Sequence, residues 1–220
     1  MNSFSNDVDI LRYEPSLFGD LHFAGQVLAS GTGGEVSGTS FSVEDADFIA
    51  ARIAAGMAIY LQSADDALNG AFEIVSVDST IQLTVSVLRA DGQDQAIALR
   101  DADNISYRIC TYQPQSGEVF LQLTQHFGLR PGVADGSYSA DDILESGVLR
   151  QVSVYGVLSI IFASLAGRSS DKEENFWNKS RYYRQLFEKA LQRCRVCIDL
   201  GNDGVADSVR SGASVRLLRD

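Results

Sequence analysis

Between Arg150 and Arg168 the chain runs for 17 residues without a charged side chain. No other feature limits the available folds as much. A membrane-spanning helix takes about 20 predominantly apolar residues. This stretch is shorter, and Gln151, Ser153, Gly156, Ser159 and Ser164 interrupt it. It reads as a helix buried inside the protein or between subunits, and no membrane partner is expected. Ser139 is placed to cap it, with Asp141 and Asp142 in a first turn where carboxylates suit the helix dipole. Its face runs Leu144, Val148, Val152, Tyr155, Leu158, Phe162, Leu165, and Gly167 closes it. Beyond Gln151 it is apolar nearly all round, which is more than two neighbouring helices in a small bundle can cover. Packing against sibling subunits is expected to complete its burial.

Two further helices accompany it. Over residues 115–127, Val119, Phe120, Leu123 and Phe127 form one apolar stripe, ended by Gly128, Pro131 and Gly132. The other opens at Ser170-Asp171-Lys172-Glu173, a capping-box pattern, and Gly201 terminates it. Its stripe is Phe176, Ser180, Tyr183, Phe187, Ala190, Cys194 and Cys197, and seven Lys/Arg lie mostly off that stripe. Residues 205–210 and 213–218 are expected to form a short hairpin around Ser211-Gly212.

The first half differs in texture. Short β-branched runs are separated by Gly, Asn, Asp and Ser, which predicts strands near residues 21–29, 41–43, 57–62, 71–78, 81–88 and 105–112. Asp78-Ser79-Thr80 reads as a hairpin connection, and residues 31–38 (GTGGEVSG) as a flexible hairpin tip. Phe48, Ile49, Arg52 and Ile53 have helical spacing, with Gly56 as a stop. The expected fold class is α+β. It comprises an arm (1–19), a small β-barrel or sandwich (20–112), a three-helix bundle (113–204) and a C-terminal hairpin arm (205–220).

Charge divides along the same line. The formal net charge is −11, and residues 1–112 carry all of it, with 5 Lys/Arg against 16 Asp/Glu; residues 113–220 hold 13 of each. Such a balance argues against a protein whose work is gripping nucleic acid. Residues 1–10 are polar and acidic, so no secretory leader is expected, and the three cysteines are expected to be reduced.

The sequence offers little chemistry. His22 and His126 have no partners at ligand or triad spacing. Residues 31–38 have neither a phosphate-loop lysine nor the dinucleotide pattern. Cys194-x-x-Cys197 lies at the wrong end of a helix for a stabilised thiolate, so two core cysteines are favoured. The weak metal candidate is Asp199, Asp203 and Asp207, spaced like a calcium loop with Gly204 at its sixth position. Gly201 at the third position removes a ligand, and Arg210 at the twelfth places a cation where a bidentate Glu belongs, so a tight Asx turn is the favoured reading. No enzyme activity and no cofactor are expected.

One resemblance supplies a function. Three features resemble the head–tail connector (adaptor) proteins of long-tailed bacteriophages. They are the helix begun by Ser139-Ala140-Asp141-Asp142-Ile143-Leu144, the apolar helix to Gly167, and the helix carrying Asn178-Lys179-Ser180-Arg181-Tyr182-Tyr183-Arg184-Gln185-Leu186-Phe187. The exit through residues 199–207 and the basic tail with Arg216 and Arg219 also fit, and the likeness covers residues 113–220.

The resemblance implies a helical bundle with extended arms, residing in the virion neck after synthesis in the host cytoplasm. It implies a ring, usually twelve-fold, that docks on the portal, receives a head-closure or tail protein, and lets DNA pass. It carries no catalytic residues, and the β module departs from its shorter members. Arg181, Arg184, Arg193, Arg195, Arg216 and Arg219 are the candidate interface residues, because arginine suits bidentate pairing across interfaces. The acidity of the first half reads as a solubility feature of the β module in preference to a DNA-repelling lumen. The competing reading is a cellular β-domain binding module or enzyme with a helical oligomerisation domain.

Overall fold

The computed structural model describes residues 3–129, 139–168 and 172–212. The chain divides into two compact units, Asn6–Tyr112 and a second that joins Met1–Ser5 to Gln113–Asp220. The fold is α+β.

The first unit is built on a closed barrel of six strands, β1 (Val27–Ser37), β2 (Ser40–Ser42), β3 (Ala58–Gln62), β4 (Asn69–Val77), β5 (Gln82–Ser86) and β6 (Ala102–Cys110), in the order β1-β2-β5-β4-β3-β6. All pairings are antiparallel. β3, β4 and β5 follow one another as neighbours, and β6 returns beside β3, which is a Greek-key arrangement. Pairing of β6 with β1, as in Gly31↔Tyr107, closes the barrel and leaves it no free edge.

The expected first strand is displaced. Residues 24–26 form a 3-10 turn and the strand starts at Val27. The glycine-rich segment, expected as a flexible tip, is the second half of that strand. Its glycines make room for aromatic rings. A Cβ on Gly31 would lie 2.8 Å from the Tyr107 ring, and one on Gly34 would lie 2.6 Å from the Phe41 ring. Between them the register slips, and Gly33 takes φ +79°, which marks a bulge that glycine adopts without steric cost. Phe41, Phe48 and Tyr107 meet beneath, with centroids 5.4 to 6.2 Å apart.

Residues 44–55 are turns, not the expected helix. Phe48 and Ile53 are buried in the barrel core, and the Phe48 N–H reaches Thr80 O at 2.7 Å. Arg52 at φ +57° is incompatible with a continuous helix. Insertion of two side chains into the core decided the backbone here over the local spacing.

Residues 6–19 of the expected arm belong to the barrel unit. α1 (Asp7–Leu11) is N-capped by Asn6 in a capping box with Asp9, and Val8, Ile10, Leu11, Leu17 and Phe18 are buried. Tyr112 crosses edge-on to Phe18 and its hydroxyl donates to Leu17 O at 2.7 Å.

The second unit holds α2 (Gln113–His126), α3 (Arg150–Ala166), α4 (Glu173–Arg193) and an antiparallel pair, β7 (Arg195–Ile198) and β8 (Ser208–Ser211). Ser139 does act as a cap, but of a 3-10 turn over residues 140–142. Ile143 then bridges to Ile198, and α3 begins only at Arg150. The cap signal is common to both kinds of helix, and β-branched Ile143 is drawn into extended pairing. α4 opens with Lys172 at its N-cap position, and Ser170, half of the expected capping box, lies outside the described residues.

α4 also ends before Cys194, which it was expected to include along with Cys197. Val196 and Ile198 are buried alternately on β7, so the period changes from helix to strand at Arg195. The expected hairpin of 205–210 with 213–218 falls partly on residues outside those described. β8 pairs back with β7 around residues 199–207.

α3 finds much of its cover within its own unit. Val152, Val154, Val157, Leu158, Ile161, Phe162 and Leu165 are all buried within the single chain. Phe162 stacks on Tyr183 at 5.8 Å and on Phe176 at 6.1 Å, and Ser180 Oγ donates to Ser159 O at 2.9 Å. Gly156 permits the close approach: a Cβ there would stand 3.0 Å from Val119 and 3.1 Å from Phe187. Segment 146–166 is apolar and long enough by composition to cross a membrane. Its own chain buries about 56% of that segment, and Val148 stays 41% exposed.

Candidate functional site

The surface of α4 carries the candidate interface residues. Its buried stripe is Phe176, Ser180, Tyr183 and Phe187, which leaves Trp177, Arg181, Tyr182 and Arg184 facing out. Trp177 is 41% and Tyr182 57% exposed, a large aromatic outlay for a solvent-facing helix. Arg184 lies over the Phe187 ring at 5.7 Å and pairs with Glu188 at 2.8 Å. Such an exposed i,i+4 pair adds little to stability and leaves the guanidinium available to a partner.

A cleft of about 480 Å³ opens where α4 hands over to β7. Val148, Val152, Leu186 and Ala190 supply apolar lining, Gln151 and Tyr155 polar groups, and Lys189, Arg193 and Arg195 cations. Among the described residues no carboxylate lines it. Arg193, on the last turn of α4, and Arg195, the first residue of β7, converge on it because the chain changes from helix to strand between them. Both arginines were expected at an interface; Lys189, one of the seven basic residues off the stripe and one helical turn before Arg193, was not. Cys194 also borders the cleft, and burial pushes its thiol up, so the cysteine contributes packing and no thiolate. The arrangement suits an anionic group attached to an apolar body.

The remaining candidates lie elsewhere. Arg181 and Arg184 are on α4 nearer its start, and Arg216 and Arg219 lie outside the described residues. Asp199 accepts from the backbone N–H groups of Asp203 and Gly204, Asp207 from those of Leu200 and Gly201, and Asp203 from Val205. The three carboxylates thus close an Asx-type loop between β7 and β8. Among the described residues no three His, Cys, Asp or Glu side chains converge to hold an ion. Arg210, in place of a twelfth-position carboxylate, donates to Phe127 O at 2.6 Å.

The histidines are tied to backbone, His22 Nδ1 to Gly19 O at 2.8 Å and His126 Nε2 to Gly212 O at 2.9 Å. In the barrel unit burial pushes the Cys110 thiol up to about 12. A second concavity, of about 490 Å³, lies on that unit and is lined by Thr32, Gln62, Ser63, Ala64, Asp66, Asn104 and Ser106. Asp66 and Asn104 both hold positive φ there. Compared with models of protein families, with curated proteins and with solved structures, the chain matches none.

Proposed function

We propose that this chain is a structural virion protein, a ring-forming head–tail adaptor that joins the portal to head-closure or tail proteins around the DNA exit path. In this reading the second unit is a three-helix bundle with a hairpin arm and supplies the docking surfaces. The acidic barrel is an added module that decorates the assembly or contacts capsid or tail components. One observation carries the reading beyond resemblance. α4 presents Trp177, Arg181, Tyr182 and Arg184 to solvent from a helix whose opposite stripe is locked into the unit. Aromatic and arginine side chains on a rigid scaffold are the composition of binding hot spots.

The test is imaging of the purified protein with portal-bearing particles. Annular density at one capsid vertex is expected, and Arg181→Glu with Arg184→Glu abolishes it while leaving the circular dichroism spectrum unchanged. Particles that never acquire the protein reject the reading. The polar concavity on the barrel, with Asp66 held by Gln62 and Asn69, favours a second reading: a binding module for a hydrophilic ligand.

A further inference from the structure

The three cations of the α4–β7 cleft have no hydrogen-bond or ion-pair partner among the described residues. They sit over an apolar floor in the half of the chain whose charges balance. The acid surplus lies wholly in residues 1–112, and one loop there has a complementary surface. Glu44 and Asp45 are exposed and have no side-chain partner among the described residues, and Ile49 is 59% exposed. The loop is held in shape. Phe48 is buried beside the exposed Ile49, and the Asp47 carboxylate accepts the Ala50 N–H at 2.8 Å. Two carboxylates and an apolar knob thus project from a fixed support, and no described residue pairs with the two side-chain charges.

We infer that the cleft binds this loop of a second copy. Glu44 and Asp45 would meet Lys189, Arg193 and Arg195, while Ile49 would enter the floor formed by Val148, Val152, Leu186 and Ala190. A contact between two different surfaces of the same chain is head-to-tail, and repetition closes it into a ring or extends it into a filament. The inference deepens the ring-forming reading and rests on it only for closure. The contact itself stands on complementary charge and an apolar fit.

The experiment is sedimentation of the full chain alone, at low salt, up to about 1 mM protein. Concentration-dependent self-association is expected, and it weakens as salt screens the pairs. Lys189→Glu with Arg193→Glu, Glu44→Lys with Asp45→Lys, and Ile49→Asp should each weaken it at least about tenfold. All should keep the wild-type circular dichroism spectrum. Mixing the two charge-reversed proteins should restore association, because each then offers what the other lacks.

A monomeric wild type overturns the inference. So does association that survives reversal of either surface, or a pair of reversed variants that fails to recombine. Cleft-dependent binding of an oligonucleotide by a monomeric protein would assign the cations to nucleic acid instead. Portal is absent from the assay, so the adaptor reading and this contact can fail separately.

Discussion

Gly34 lies against the ring of Phe41, so close that an added Cβ would stand 2.6 Å from its Cε2 and 2.9 Å from its Cζ. Phe41 is fully buried and packs on Phe48 and Tyr107, so the ring has nowhere to retreat. Gly34→Ala is therefore expected to destabilise the barrel by about 1–3 kcal/mol, the usual cost of overpacking. Gly92→Ala, where an added Cβ meets nothing within 4 Å, is the control and should fall within about 0.5 kcal/mol of wild type. Urea midpoints decide. Equal values for the two variants would refute the close-approach account.

The buried pair of Glu73 and Arg89 fastens the long connection after β5. Arg89 Nη2 reaches Glu73 Oε1 at 2.6 Å, Nε reaches Oε2 at 3.2 Å, and Nη1 donates to Asp94 O. Removing one partner strands a charge, so Glu73→Leu alone should cost about 3–5 kcal/mol. Glu73→Leu combined with Arg89→Met should cost less than either single change. A double variant as unstable as the sum of the two singles would show that no ionic coupling exists.

Asp7 gives the barrel unit a pH dependence of unusual sign. Its Oδ1 accepts the Tyr112 N–H at 2.7 Å. Burial nevertheless outweighs that bond and raises the carboxyl pKa from 3.8 to about 6. Below pH about 4 the group is neutral in folded and unfolded chains alike, and no penalty applies. Between about pH 4 and 6 the folded chain holds a proton that the unfolded chain has released, and above about pH 6 the fold carries a buried charge. Asp7 thus lowers stability as pH rises through that window, by about 3 kcal/mol in full. Asp7→Asn keeps the acceptor for Tyr112, flattens the profile and is more stable at pH 7. Urea midpoints measured from pH 4 to 7 test this, and parallel profiles for the two proteins would reject it.

Arg210 caps α2 from a distant strand by donating to Phe127 O. Arg210→Ala should cost about 0.5–1.5 kcal/mol and speed amide exchange in the last turn of α2. The neighbouring Asp199–Asp207 carboxylates already serve backbone amides, so millimolar calcium should leave the melting temperature unchanged. A calcium-dependent rise would restore the metal reading.

Reading of the sequence succeeded where one element determines itself. The stripe of Val119, Phe120 and Leu123 located α2, and the alternation around Asp78-Ser79-Thr80 located the β4–β5 hairpin. It failed where the deciding partner is remote. Cys194 and Cys197 continue a helical spacing, and only pairing with remote residues 208–211 makes 195–198 a strand. Gly31 and Gly34 look like a turn until Tyr107 and Phe41 are known to need the space. The cleft was half visible. Arg193 and Arg195 stood out as cations, but their convergence depends on a helix end that the sequence did not mark.

The barrel unit interrupts the other unit once, and the chain crosses between the two at only two points. Ser5 and Gln113 both belong to the second unit, where Phe4 packs on Phe120 at 4.8 Å and Ser5 Oγ bonds Ser153 Oγ at 2.8 Å. Closure of the barrel pairs Val27 with Cys110, so its first and last strands run side by side. Such a segment behaves as a cassette. Replacing residues 6–112 by a short linker is expected to leave the helices of the second unit folded in their own register.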